Sequence, residues 1–173
     1  MIYANKTVQY AIYDRGNGSA DFVTDTTTVT RPSLESLTDT ISGAGILGEI
    51  DMPTLAQLGS MTYEIGLRRA GPKAIKLFEQ KTQELEIRWV TDTVDSATGN
   101  SAVSSNKDII KGRPKTLEGG TIENNAAQDG NLILEVLYMK HIQDGETMYE
   151  IDKLNNVFIV NGTDYAQQIR DAI

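Results

Sequence analysis

Apolar and polar residues alternate most cleanly along residues 60–69, SMTYEIGLRR, with Met61, Tyr63, Ile65 and Leu67 on one face and Thr62, Glu64, Gly66 and Arg68 on the other. A period of two predicts a half-buried β-strand. Residues 84–94, ELEIRWVTDTV, repeat the pattern with Leu85, Ile87 and Trp89 together, and Gly99-Asn100 supplies a turn before another alternating run, which predicts a hairpin. Residues 7–13, TVQYAIY, predict an opening strand, closed by a turn at Gly16-Asn17-Gly18. Residues 132–142, LILEVLYMKHI, are apolar on both faces and predict a central strand covered on both sides. Asp144-Gly145 then turns the chain tightly into TMYEIDKLNNVFIVNG.

Two segments carry a helical signature. Gly71-Pro72 opens PKAIKLFEQKTQ, where proline suits a first turn and Ile75, Leu77 and Phe78 form an apolar stripe, predicting a helix of about three turns. Thr163 and Asp164 are placed to cap a last short helix, with Arg170 near its C-terminal end. Residues 112–131 are polar and turn-forming, so a loop is expected there. Residues 19–57 are rich in Ser, Thr, Gly and Asp and are interrupted by Pro32 and Pro53. That is too long for a plain loop, so part of it should be a strand or an arm. No internal repeat is visible, and strands dominate, giving a mainly β chain with helical additions or an α+β chain.

Composition narrows the function classes. With 173 residues, 39% hydrophobic and 23% charged, the chain has enough apolar surface for one folded domain over residues 1–173. No apolar run is long enough for a membrane helix, and the first residues lack a basic and apolar leader pattern, so the expectation is a protein made and kept in the cytoplasm. The absence of cysteine excludes disulfides and thiolate chemistry, leaving packing or partners as the source of stability. One histidine, His141, rules out a histidine-rich zinc site within one chain and disfavours most hydrolase chemistry. A formal charge of −8 argues against tight nucleic-acid binding by the whole surface.

Candidate motifs for chemistry fail on context. Residues 43–48, GAGILG, satisfy G-x-G-x-x-G, but neither a buried strand before them nor an unbroken helix after them is expected, so a flexible glycine loop is the better reading. Asp92 and Asp95 lack the alternate-position ligands of a calcium loop. His141 has no nucleophile motif such as G-x-S-x-G and reads as structural. Asn5, Asn17 and Asn161 lie in N-x-[ST] sequons that matter only in a secreted protein. Lys107, Lys111, Arg113 and Lys115 surround Pro114 without interleaved aromatics, which suits half of a charge-complementary subunit contact better than a phosphate site. No cofactor and no metal are expected.

Three segments in order carry a resemblance. SGAGILGEIDMPTLAQLGSMTYEIGLR at 42–68, TMYEIDKLNNVFIVNGTDYAQQIRDAI at 147–173 and, less specifically, KGRPKTLEGGTIENNAAQDGN at 111–131 resemble the P2-like major tail tube proteins of contractile-tailed bacteriophages and the tubes of tail-like bacteriocins. The resemblance runs from about residue 7 to the end. It implies an antiparallel β-sandwich or small barrel with one packed mid-chain helix and a short C-terminal helix. Subunits of that kind assemble as hexameric rings stacked into a tube, with one sheet from each subunit joining its neighbours around the lumen, and they catalyse nothing.

The resemblance also implies partners: tail sheath, baseplate hub, tape measure and terminator proteins, with DNA passing transiently through the lumen. A tube carrying protein cargo, in a bacteriocin or a secretion system, is the alternative. Within this frame the glycine-rich segment at 42–53, with Ser42, Gly43, Gly45, Ile46, Leu47 and Met52, is expected to order against a neighbouring subunit. Glu64 and Glu86 alternate with core residues and are expected to face a lumen, where an anionic wall keeps DNA mobile. Ile75 and Phe78 are expected to pack inward, leaving Lys73, Lys76 and Lys81 for an acidic sheath surface.

Overall fold

The computed structural model describes residues 1–16, 18 and 20–173. Asn17, and with it the turn expected at Gly16-Asn17-Gly18, lies outside the described residues, as does the side chain of Asn5. The chain runs β1 (Ile2–Asp14), β2 (Asp21–Phe22), β3 (Thr26–Thr30), β4 (Ser36–Ser42), β5 (Glu49–Leu58), β6 (Thr62–Leu67), α1 (Pro72–Leu77), β7 (Gln83–Asp95), β8 (Ser101–Glu118), β9 (Gly130–Gln143), β10 (Glu146–Asp152), β11 (Val157–Val160), β12 (Thr163–Asp164) and α2 (Gln167–Ala172). It is a mainly β fold, and all its strand pairs are antiparallel.

The main sheet follows the order β12-β11-β10-β9-β8-β7-β1-β2, with β6 pairing both β9 and β3. Strand β9 is its hub. One edge of β9 pairs with β8, while the other pairs with β6 over its first half and with β10 over its second. Side chains show that the sheet rolls up: Tyr10 on β1 donates to Thr26 Oγ1 on β3 at 3.3 Å, although β1 and β3 lie at opposite ends of the path β3-β6-β9-β8-β7-β1. Of the two forms anticipated, this is the small barrel.

Inside it, one cluster joins Ile12, Tyr63, Ile65, Leu67, Leu85, Ile87, Ile110, Leu132, Leu134, Met139 and Ile151, all buried. The alternation along 60–69 reads its inward face correctly, since Met61, Tyr63, Ile65 and Leu67 are each at most 1% exposed. Asp144 and Gly145, at φ 48° and 88°, form the tight turn between β9 and β10. Both central residues of such a turn need positive φ, which Asp tolerates and Gly adopts freely.

Three expectations need correction. Residues 112–118 are not loop but the second half of β8, whose ladder to β9 is irregular between Lys111 and Gly112 and between Pro114 and Thr116. These bulges absorb the proline, which has no N–H to give a ladder. They also bring Gly112 so close to the Glu135 carbonyl that a Cβ would sit 2.8 Å from it.

Helix α1 has six residues and buries Ala74 and Leu77, while Ile75 is 55% exposed and Phe78 packs on the core only in part. In so short a helix the apolar triplet does not fix the phase, and the i, i+3 pair of Ala74 and Leu77 takes the inward stripe. Thr163 and Asp164 form β12 instead of capping α2, whose N-cap is Ala166 without a side-chain cap bond. Asp164 still accepts from the Ala166 N–H at 3.0 Å and pairs with Arg170.

Candidate functional site

Strands β4 and β5 form a separate two-stranded sheet and project from the barrel as an arm. Their register sets Ile41 opposite Ile50 and Asp39 opposite Met52 on one face. The other face is polar, with Thr40 opposite Asp51 and Ser42 opposite Glu49, and Thr40 Oγ1 donates to Asp51 at 2.6 Å. Every residue of β4 is exposed, and so are the apolar side chains of Leu37, Ile41, Ile50, Met52 and Leu55. A lone two-stranded hairpin is marginal in water, and this one leaves its apolar side chains exposed instead of packing them into the core.

The tip spans residues 43–48. Gly45 and Gly48 sit at φ 88° and 89°, a backbone that side chains with a Cβ avoid, so glycine is required by conformation and not by a bound phosphate. Leu47 is fully solvent-exposed at the tip and Ile46 half-buried. The arm thus carries all six residues singled out for a subunit contact: Met52 on the apolar face, Ser42 on the polar face, and Gly43, Gly45, Ile46 and Leu47 at the tip.

Glu64 and Glu86 differ sharply. Glu64 is half-buried and borders a shallow hollow with Thr28, Thr30, Gly66, Asp129 and Asn131. Glu86 is 1% exposed, and its carboxylate is clamped by Arg15 and Arg88. Burial works against its charge, yet the bonds from Arg88 and Arg15 outweigh it and hold the carboxyl below the usual glutamate range. The expectation that Glu86 faces a lumen is corrected, because its carboxylate is buried beneath two arginines of its own chain. Alternation assigns Glu86 to the outward face, but it cannot reveal that Arg15, at the end of β1, and Arg88, two residues along β7, cover it.

The lysines of the α1 region are tethered as well. Lys73 pairs with Asp21 at 3.1 Å, Lys76 with Asp14 at 2.8 Å and Lys81 with Glu79 at 2.5 Å. Lys73 and Lys76 therefore fasten α1 to β1 and β2, and among the apolar side chains expected to pack inward it is Ile75 that the helix leaves on the surface. On β8, Lys111 and Lys115 approach Glu84 and Glu135 at 4.0 Å, and Arg113 donates to the Gln80 carbonyl, so that basic stripe belongs to a mixed-charge face.

A polar cluster inside the barrel escapes the sequence reading. Asp108, fully buried on β8, accepts from Tyr63 Oη at 2.8 Å and from Arg31 Nε at 2.8 Å, and it lies 2.7 Å from His141 Nδ1. Arg31 reaches Asp108 a second time through Nη2 at 3.3 Å, donates to Tyr149 Oη at 2.7 Å and stacks 4.9 Å over the Trp89 ring. Burial and the neighbouring carboxylate push the Tyr63 hydroxyl far up. The Tyr149 hydroxyl is pushed up to about 12 by burial and Asp108, against the opposing pull of Arg31. Burial opposes the Arg31 charge, but Asp108 more than compensates and the guanidinium is raised.

One signal could have found this cluster: Asn106 and Asp108 stand in the inward phase of Ile110, and a carboxylate on a core face requires partners. The group is an acid saturated with donors, not a nucleophile with its base. Among the described residues, no cluster of His, Asp and Glu could hold a metal ion.

A family model described as "Phage tail tube protein FII" matches residues 11–173, all but the first ten. The sheath/tube terminator of an extracellular contractile injection system matches in structure with a TM-score of 0.52 and 12% identity, covering 82% of this chain and 96% of the other. The sheath-tube complex of the same kind of system gives a TM-score of 0.46 at 12% identity, over 80% of this chain and 89% of the other. At such identities the likeness concerns the fold alone. No curated protein matches the sequence at a significant level.

Proposed function

The chain belongs to the phage tail tube protein FII family, and from that premise we propose that it assembles as stacked hexameric rings into the conduit through which DNA leaves a contractile phage particle. It is a structural component of a tail or tail-like particle, not an enzyme. The observation that supports assembly through the arm is its geometry: ten residues of β5 and seven of β4, outside the barrel, with an apolar face and no core of their own. A neighbouring copy that covers Ile41, Ile50 and Met52 would remove that surface from water and order the tip.

In this reading the ends of the rolled sheet, β1–β2 and β12, pair with or pack against neighbouring subunits, which also protects edge strands from aggregation. Glu64 is the acid assigned to the lumen, where repulsion of phosphate keeps DNA mobile. The outer surface with Lys73, Lys76, Lys81 and the exposed Ile75 is assigned to the sheath. The baseplate hub, tape measure and terminator proteins are its further partners, and assembly takes place in the host cytoplasm. Negative-stain microscopy of the purified chain tests the reading: six-fold rings and long tubes are the expected outcome. A protein that stays monomeric at every concentration and salt condition removes it.

A further inference from the structure

We infer that Arg31 is the residue that sets the direction of the arm, by clamping its outgoing root to the buried carboxylate of Asp108. The inference rests on the reading of the arm as the part that joins neighbouring subunits. An arm with no core of its own can be aimed only at its two roots. The returning root is held to the barrel by Leu58, packed against the core, and by Lys153 donating to the Gly59 carbonyl, while the Gly59 N–H, donating to the Glu35 carbonyl at 2.9 Å, ties the two roots together. The outgoing root has Arg31, which directly follows β3 and stands five residues before β4.

Its side chain is fixed in two ways that differ in geometry. The guanidinium edge makes two bonds to Asp108, at 2.8 and 3.3 Å, and one to Tyr149 Oη at 2.7 Å. Its face lies 4.9 Å from the centre of the Trp89 ring. A planar fork gripped along its edge and across its face has little rotational freedom, a property that lysine does not share.

The anchor is equally fixed. Asp108 is shielded from solvent, and Tyr63 and His141 bond its two oxygens from other strands, so it cannot follow the arm if the arm swings. Five strands of the barrel, β6 to β10, therefore converge on one root through Tyr63, Trp89, Asp108, His141 and Tyr149. Pro32 comes next and restricts Arg31 to extended backbone, which carries the direction into β4.

The lever is long. The seven residues of β4 alone span about 23 Å at ~3.3 Å each, so an angular slack of about 10° at the root displaces the far end by about 4 Å. Such a displacement is close to the spacing of adjacent strands, about 4.8 Å, and large enough to misplace a docking hairpin.

The chain has no cysteine, so two introduced thiols can be spin-labelled uniquely. Leu47→Cys at the tip and Lys115→Cys on β8 report the pose of the arm in unassembled subunits by pulsed electron resonance. Arg31→Lys, which keeps the charge but loses the fork, is expected to at least double the width of the tip-to-barrel distance distribution. In unlabelled chains it should raise the concentration needed for tube formation at least tenfold. Tyr149→Phe, which removes one bond without uncovering a buried charge, should broaden the distribution less and serves if Arg31→Lys fails to fold.

An unchanged distribution in the folded variants overturns the role of Arg31, whatever the tubes do. A broadened distribution with normal tube formation upholds Arg31 and removes instead the reading that the arm joins subunits.

Discussion

His141 Nδ1 lies 2.7 Å from a carboxylate oxygen of Asp108, with both side chains shielded from solvent. The imidazole is stacked against Trp89 at 5.6 Å and tilted against Tyr149 at 5.2 Å, which fixes its plane as well as its bond. Asp108 thus ties hydrogen bonding to aromatic packing at the centre of the barrel. Asp108→Ala leaves Arg31 and Tyr63 without their acceptor and should cost about 3–5 kcal/mol. Urea unfolding measures it, and a loss below about 1 kcal/mol, typical of surface substitutions, contradicts the central role.

Helix α1 makes a sharper packing prediction. Leu77 is 1% exposed and Ile75 is 55% exposed, so truncation of neighbours in sequence should differ widely. Leu77→Ala should cost about 2–5 kcal/mol and Ile75→Ala no more than about 0.5 kcal/mol. Equal losses in thermal or chemical unfolding would mean that the inward stripe has been misassigned.

On the arm, stability and assembly should separate. Ile50→Lys alters an exposed position on the apolar face, so the subunit should keep its stability to within about 0.5 kcal/mol while tubes disappear. Gly43→Val with Gly45→Val should likewise leave the circular dichroism of the barrel intact and block polymers, because valine tolerates neither φ 150° nor φ 88°. Sedimentation of both variants is decisive: normal polymers from either contradict the proposed contact.

Acid should weaken the fold through Glu86. Its carboxyl titrates below the ordinary value of 4.5, since Arg88 and Arg15 favour the charged form more than burial opposes it. A depressed folded-state value means that the group contributes fully above the unfolded-state range and loses that contribution as pH falls through the lower, folded-state value. Glu86→Gln should therefore flatten the acid limb of the stability curve, most visibly below about pH 4.5. An acid limb identical to that of the parent chain would show that the clamp carries no linkage.

Glu64 carries the lumen proposal by itself. Glu64→Lys should permit tubes but slow DNA release at low salt, with recovery as salt screens lysine–phosphate contacts. Release at the parental rate in low salt removes Glu64 from the lumen wall.

Most of the strands are legible in the sequence because their periodicity is a direct record of burial. The inward face of β6, the centrality of β9 and the turn at Asp144 and Gly145 all follow from local pattern. What escapes depends on distant chain. Gly112 and Pro114 look like breakers, yet bulges against β9 accommodate both within β8. Ile75 looks inward because α1 is too short to fix its phase.

For the site, the sequence points to residues 42–53 and their glycines, but it does not show that register gathers Ile41, Ile50 and Met52 on one face. Glu86 is misjudged because the residues that cover it include Arg15, 71 positions away. Asp108 is overlooked because its partners Arg31 and His141 lie 77 and 33 positions distant.

The closure between β1 and β3 has a mechanical consequence. Elsewhere the wall is stitched by ladders whose many backbone bonds must shear together, as between β8 and β9. No ladder joins β1 to β3 among the described residues, where the hydroxyl of Tyr10 meets that of Thr26. Under load such a seam yields before a ladder does, one contact at a time. A subunit built this way is stiff along β7, β8 and β9 and compliant across one line, so in the proposed tube many copies would flex without tearing their strands. Amide exchange should register the difference as faster exchange along β3 than along β9.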